Sequence, residues 1–153
     1  MNKSDNIKLA LLKACLEKVD HQISTLQLSI DSINESKSNE TKSSAGDKYE
    51  TGMAMLQMEE QNIRKQLAQV LQIKHQLSST SLNKNLQVSE PGALVYTNQG
   101  TYFISVGLGA VTLENQSIFC ISPASPIGSQ LIGLKQGDQF QFNSKEFLIQ
   151  QIR

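Results

Sequence analysis

Tryptophan is absent from the chain, cysteine and histidine occur twice each, and no apolar run approaches the length of a membrane span. The two cysteines, Cys15 and Cys120, lie in segments of different texture. Neither belongs to a Cys-x-x-Cys or Cys/His cluster with metal-ligand spacing, so they read as two buried or idle thiols. His21 and His75 have no serine or cysteine nucleophile motif beside them and read as solvated helix-face residues. A P-loop and a Gly-x-Gly-x-x-Gly turn are also missing, which removes the common phosphate cradles and any reason to expect a stably bound cofactor. Fourteen basic residues balance fourteen acidic ones. No basic face is therefore strong enough to bind nucleic acid by counterion release alone, and any link to RNA or DNA runs through a protein partner. The longest early apolar patch, Leu9 to Leu12, is closed by Lys8 and Lys13. It falls far short of a signal-peptide core or a membrane helix, so the expected location is the cytoplasm, with no membrane contact.

What is present is hydrophobic periodicity. Leu9, Leu12, Leu16, Val19, Ile23, Leu26, Ile30 and Ile33 follow one another in alternating steps of three and four residues. That is the a/d seam of a coiled coil, apolar on one stripe and polar elsewhere, and it requires a partner. Ser4 or Asp5 suits its N-cap. Between Asn34 and Gly46 only Ala45 comes from the hydrophobic set. The period then resumes with Tyr49, Met53, Leu56, Glu60, Ile63, Leu67, Val70, Lys74 and Leu77. Folding the chain back near position 41 sets Ile33 opposite Tyr49, Leu26 opposite Leu56 and Leu12 opposite Val70. Two arms of about 30 residues then form an antiparallel rod of roughly 45 Å. Glu60 opposite Ile23 and Lys74 opposite Leu9 interrupt this seam and are expected to be its weakest positions, their stems covering apolar surface while the charges reach water. A parallel coiled coil of two chains is the competing arrangement, although a monomer is expected.

At Ser78–Ser89 the period is lost in a polar linker. Short runs rich in β-branched and aromatic residues follow: Ala93–Thr97, Thr101–Val106, Ala110–Glu114 and Ser117–Ile121, then Gln139–Phe142 and Glu146–Ile152. Asn98 to Gly100, Gly107 to Gly109 and Asn115–Gln116 separate the first four as tight turns at hairpin spacing. Ser125 and Pro126 suit the cap and first turn of a short helix that Gly133 helps to end. The domains are thus a helical hairpin over 1–79 with its tip near 36–50, a linker over 80–90, and a small strand-rich α+β domain over 91–153.

Two stretches carry a resemblance. Gly46 Asp47 Lys48 Tyr49 Glu50, running into Glu59 Glu60 Gln61, resembles the hairpin tip and second helix of the bacterial Gre transcript-cleavage factors, where Gly-Asp-x-x-Glu-Asn opens the second helix of a coiled coil. Ile121 Ser122 Pro123 Ala124 Ser125 Pro126 Ile127, with Leu131 Ile132 Gly133, Lys135 and Gly137 Asp138, resembles the family's Ile-Ser-x-x-Ser-Pro, Leu-hydrophobic-Gly, Lys and Gly-Asp pattern. Element order and size agree over nearly the whole chain. The resemblance implies an FKBP-like C-terminal domain that docks at the rim of the RNA polymerase secondary channel, with Ala124, Ser125, Pro126 and Ile127 at the contact. It also implies a transcription elongation factor that has no active site of its own. Asp47 and Glu50 would share a magnesium ion with the polymerase and promote cleavage of backtracked transcripts, touching nascent RNA and DNA only indirectly.

The residues admit other readings. Asp47 and Glu50 fit an N-cap and its capping-box partner, and Ser125–Pro126 fits a plain helix start. Thr51 Gly52 Met53 Ala54 stand where the family usually has Asn, Ala, Glu and Tyr. That makes a secondary-channel regulator without cleavage stimulation a second expectation, and a coiled-coil adaptor unrelated to transcription a third. Without tryptophan or an isomerase pocket signature, prolyl isomerase activity is not expected. Tyr96, Tyr102, Phe103, Phe119, Phe140, Phe142 and Phe147 read as packing residues.

Overall fold

The computed structural model describes residues 3–43, 46–82 and 85–153, with the side chains of residues 3–5, 41–43, 47 and 48 left aside. Two helices, α1 (Lys3–Ser43) and α2 (Asp47–Ser78), precede β1 (Leu94–Thr97), β2 (Gly100–Ile104), β3 (Gly109–Leu113), β4 (Gln116–Ile121), α3 (Pro126–Leu131), β5 (Gln139–Phe142) and β6 (Lys145–Ile152). The class is α+β: a helical region followed by a six-stranded mixed sheet. Among the described residues no helix is long and apolar enough to cross a membrane. The chain divides into one compact unit of residues 18–74 and another of residues 1–17 with 75–153.

In the first unit α1 and α2 run antiparallel. The polar stretch 34–43, where the apolar period lapses, is helical and continues α1. It holds no glycine or proline, and Glu, Lys, Asn and Ser on a solvated helix face need no apolar period once the helix is under way. The chain reverses at Gly46, not near 41, and the pairing shifts accordingly. Lys37 donates to Glu60 at 3.0 Å and Lys74 pairs with Asp20 at 2.8 Å. Glu60 therefore faces Lys37 rather than Ile23, and Lys74 faces Asp20 rather than Leu9. The two charged interruptions of the apolar period are each matched by an opposite charge on α1, so they favour this register over the alternatives rather than merely weakening the seam. Val19, Ile30 and Ile33 of α1 are buried.

Glu60 is the most enclosed carboxylate of this set, its side chain 17 % exposed. The hydrogen bond from Lys37, with Arg64 assisting, holds its carboxyl below the ordinary glutamate value. A depressed folded-state pKa contributes stability that is present above the unfolded value and is lost as pH falls through the folded one. Unfolding in urea, followed from about pH 7 to about pH 3, is expected to show progressive loss of helix stability below the ordinary glutamate range. Glu60→Gln should lower stability at neutral pH and flatten that part of the acid limb; an unchanged pH profile would dismiss the Lys37–Glu60 pair as a contributor.

Hydroxyls close α2: Ser79 Oγ donates to the His75 carbonyl and Thr80 Oγ1 to that of Gln76, each at 3.0 Å, which satisfies carbonyls the last turn leaves open.

The second unit is built on a sheet of order β3-β4-β2-β1-β6-β5. All six strands expected from composition form. β3–β4 and β5–β6 are hairpins with two-residue turns at Glu114–Asn115 and Asn143–Ser144, all four residues in the left-handed region, which matches the twist of the flanking strands. β2 and β3, however, do not pair. β4 lies between them, parallel to β2, with Phe103 level with Cys120. On one face Val95, Tyr102, Ile104, Phe147 and Ile149 form a core with Leu131 of α3, and Phe140 stacks on Phe147 with ring centroids 4.8 Å apart. The alternate residues Leu94, Phe103, Ile118 and Cys120 are buried on the other face. There the sulfurs of Cys120 and Cys15 lie 3.3 Å apart, which brings the first turns of α1 onto the sheet. Lys8, Leu11 and Cys15, three and four residues apart, are the buried stripe of this segment, whereas Leu9 is 53 % exposed and Leu12 and Leu16 are half-buried. The burial falls one position away from the expected seam because this part of α1 packs on a sheet.

Candidate functional site

The turn between the long helices is set by Gly46. Its φ of +71° is a conformation L side chains rarely adopt, and its carbonyl accepts the amides of Tyr49 at 3.1 Å and Glu50 at 3.3 Å. Gly46 thus occupies the cap position of α2, Asp47 is the first helical residue, and Glu50 is the fourth. The capping-box reading needs Asp47 at the cap and Glu50 at the third helical position, and the turn moves both out of that register. Asp47 remains where the positive end of the helix dipole favours an acid. Its side chain, like that of Lys48, lies outside the described residues. Glu50 is exposed and Tyr49 half-buried.

These are hard oxygen donors, and the set is small. Among the described residues no three His, Cys, Asp or Glu come together to hold a metal. One or two carboxylates at an exposed turn match the share of a magnesium shell that a protein commonly supplies when water and phosphate supply the rest.

Next to the turn lies a groove the composition did not announce, lined by Ser36 and Glu40 of α1 and by Gly52, Met55, Met58 and Glu59 of α2. Met55 and Met58 are 68 % and 67 % exposed. A Cβ on Gly52 would run into the Glu40 carboxylate, so the missing side chain is what lets Glu40 lie across α2. The signal for this groove was the lack of any helix breaker from Asn34 to Ser43, which carries α1 far enough to meet Gly52.

No protein-family model matches the chain, and no curated protein matches it either.

Of the four residues expected at a docking loop, the structure divides the roles. Ser125 is the N-cap of α3: its Oγ accepts from the Gly128 amide at 3.1 Å and donates to the Ser122 carbonyl at 2.7 Å. Both functions of the hydroxyl are thus used within the chain. Pro126 is the first helical residue, where a missing amide costs nothing. Ile127 is half-buried against the core under α3. Ala124 is exposed, with its amide donating to Ser122 Oγ at 3.1 Å. Ala124 and the outer side of Pro126 are therefore the parts of this loop open to a partner, while Ser125 and Ile127 hold the loop in shape. Ile132, the hydrophobic residue of the Leu-hydrophobic-Gly match, is 39 % exposed just past α3.

Proposed function

We propose that this chain is a Gre-like factor whose α1–α2 turn enters the secondary channel of RNA polymerase and whose FKBP-like sheet domain, through the Ala124–Pro126 loop, docks at the channel rim. The helices then act as an antiparallel coiled coil. The observation that carries this reading is the turn itself: Gly46 reverses the chain in a left-handed conformation and leaves Asp47 and the exposed Glu50 in the first turn of α2, out of capping-box register. The Ser-Pro start of α3 supports it from the second unit.

In this role the chain holds no active site. Asp47 and Glu50 supply carboxylate oxygens beside the polymerase's own catalytic centre and help to hold a shared magnesium ion there. Magnesium so held polarises a water and orients it for in-line attack on a phosphodiester. The remaining residues position: Gly46 sets the turn, the Lys37–Glu60 and Asp20–Lys74 pairs fix which side chains meet along the helices, and the loop at Ala124 anchors the sheet domain.

A second reading, a channel regulator that does not stimulate cleavage, is favoured by one observation. The part of α2 just past Glu50 carries Gly52, covered by Glu40, and its Thr51 Gly52 Met53 Ala54 stand where the resembled family usually has Asn, Ala, Glu and Tyr. One assay separates the readings. Stalled, backtracked elongation complexes of polymerase from the same source are incubated with the wild-type chain or with an Asp47→Ala/Glu50→Ala double variant. Cleavage is expected with the wild type, with the double variant falling to the polymerase's own background while competing for binding undiminished. Binding without cleavage by the wild type would establish the regulator, and failure of both proteins to bind would leave an adaptor function and end the polymerase proposal.

A further inference from the structure

We propose that Cys15 and Cys120 form an oxidisable dithiol, a modification site that closes to an intramolecular disulfide and pins the first turns of α1 to β4. This inference is independent of the polymerase reading. The two sulfurs are 3.3 Å apart although the residues are 105 positions apart in the chain, no disulfide joins them, and the residues are 0 % and 1 % exposed. A disulfide needs a sulfur separation of about 2.05 Å, so the gap to close is about 1.3 Å. The contact joins a helix to β4, the second strand in the sheet order, where Phe103 of β2 and Gly109 of β3 flank Cys120. The bond would therefore tie α1 covalently to β4 at this point.

The chemistry balances with a peroxide as oxidant. One thiol sulfur attacks the O–O bond of hydrogen peroxide, giving a sulfenic acid and one water. The neighbouring thiol then attacks that sulfur, the S–O bond breaks, the S–S bond forms, and a second water leaves with the thiol proton. The two sulfurs together lose two electrons and the peroxide oxygens gain them. Burial shields the pair from bulky reagents but not from a molecule little larger than water. The partner thiol at contact distance captures the sulfenic acid by proximity before further oxidation to the sulfinic state.

The test treats the full chain, reduced and then freed of reductant, with hydrogen peroxide at a dose that oxidises free dithiothreitol. Free thiols are counted under denaturing conditions and the product is analysed by mass spectrometry. The expected result is loss of both thiols, a mass lower by two hydrogens, and a cross-linked pair of tryptic peptides, one of them residues 14–18 and the other containing Cys120. The rate should be independent of protein concentration, and neither Cys15→Ser nor Cys120→Ser should yield the closed form. Closing so long a loop is expected to raise the melting midpoint by roughly 5–10 °C over the reduced chain. Two thiols still titrating after treatment, disulfides only between chains, or sulfinic acids in place of the disulfide would each overturn the proposal. So would a closed form whose midpoint fails to rise, because the bond would then have formed in an opened chain.

Discussion

Phe103→Ala is expected to cost about 3–5 kcal/mol, the range for removing a fully enclosed aromatic ring. Phe103 is 0 % exposed, and its neighbours across the sheet are Leu94 on β1 and Cys120 on β4. Tyr102 and Ile104, on either side of it, belong to the core under α3, so Phe103 points to the opposite face, the one that receives Cys15. No rearrangement of α3 can fill the void, and a small domain with a total stability of about 5–15 kcal/mol loses about a fifth or more of it. Phe103→Leu keeps most of the volume and should lose less than about 1.5 kcal/mol. Urea unfolding followed by tyrosine fluorescence measures both, because Tyr96 and Tyr102 report from the sheet and no tryptophan masks them. A loss below about 1 kcal/mol for the alanine variant would mean that this face of the sheet is not the packed surface described.

Gly128→Ala is expected to destabilise by about 2–3 kcal/mol, although replacing a helical glycine by alanine ordinarily gains about 1 kcal/mol. The sign reverses because of what surrounds it. A Cβ at Gly128 would run into the Ser122 carbonyl oxygen and, at 2.8 Å, into Ser125 Oγ. Both of those atoms are fixed by the hydrogen bonds that cap α3. Relief would require opening the cap, which removes the bond from the Gly128 amide as well. Gly107→Ala is the control, since nothing lies within 4 Å of the position its Cβ would take and its backbone is not left-handed. It should be neutral or slightly stabilising. Equal melting midpoints for the two variants would contradict the tight approach of α3 to the Ser122 turn. Under the proposed function, Gly128→Ala should also weaken docking, because it deforms the loop that presents Ala124.

The strands were legible because β-branched and aromatic runs ended at Asn, Gly and Ser, and those residues do turn the chain: Asn98 ties the β1–β2 turn to β6 by accepting from the Leu148 amide, and Asn115 and Asn143 take up positive φ. The order of the sheet was not legible. Hairpin spacing between β2 and β3 favoured local pairing, yet β4 returns to lie beside β2, a choice settled by burial of Phe103 and Cys120 that no short window contains.

The helices show the complementary limit. An apolar period finds a buried stripe but not the end of a helix, so the polar residues 34–43 were read as a tip, and the register was displaced until the charges of Lys37 and Asp20 met Glu60 and Lys74. At the base of α1 the buried stripe includes Lys8, a residue that any hydropathy pattern scores as solvated. The Gly-Asp-x-x-Glu stretch opens α2, and the cap position falls to Gly46 rather than Asp47 through a backbone conformation, the left-handed Gly46, that spacing alone does not reveal.

Between Asp20 and the reversal at Gly46, α1 contains no glycine or proline, and the next glycine in α2 after the reversal is Gly52. Such an arm works as a ruler with charged graduations. Adding seven residues to each helix between the ionic rungs and the bend would carry the acidic pair about 10 Å farther along the axis while every rung below kept its mate. Under the proposed function, the depth the turn reaches is thus a property that insertion in matched heptads can tune without redesigning either end.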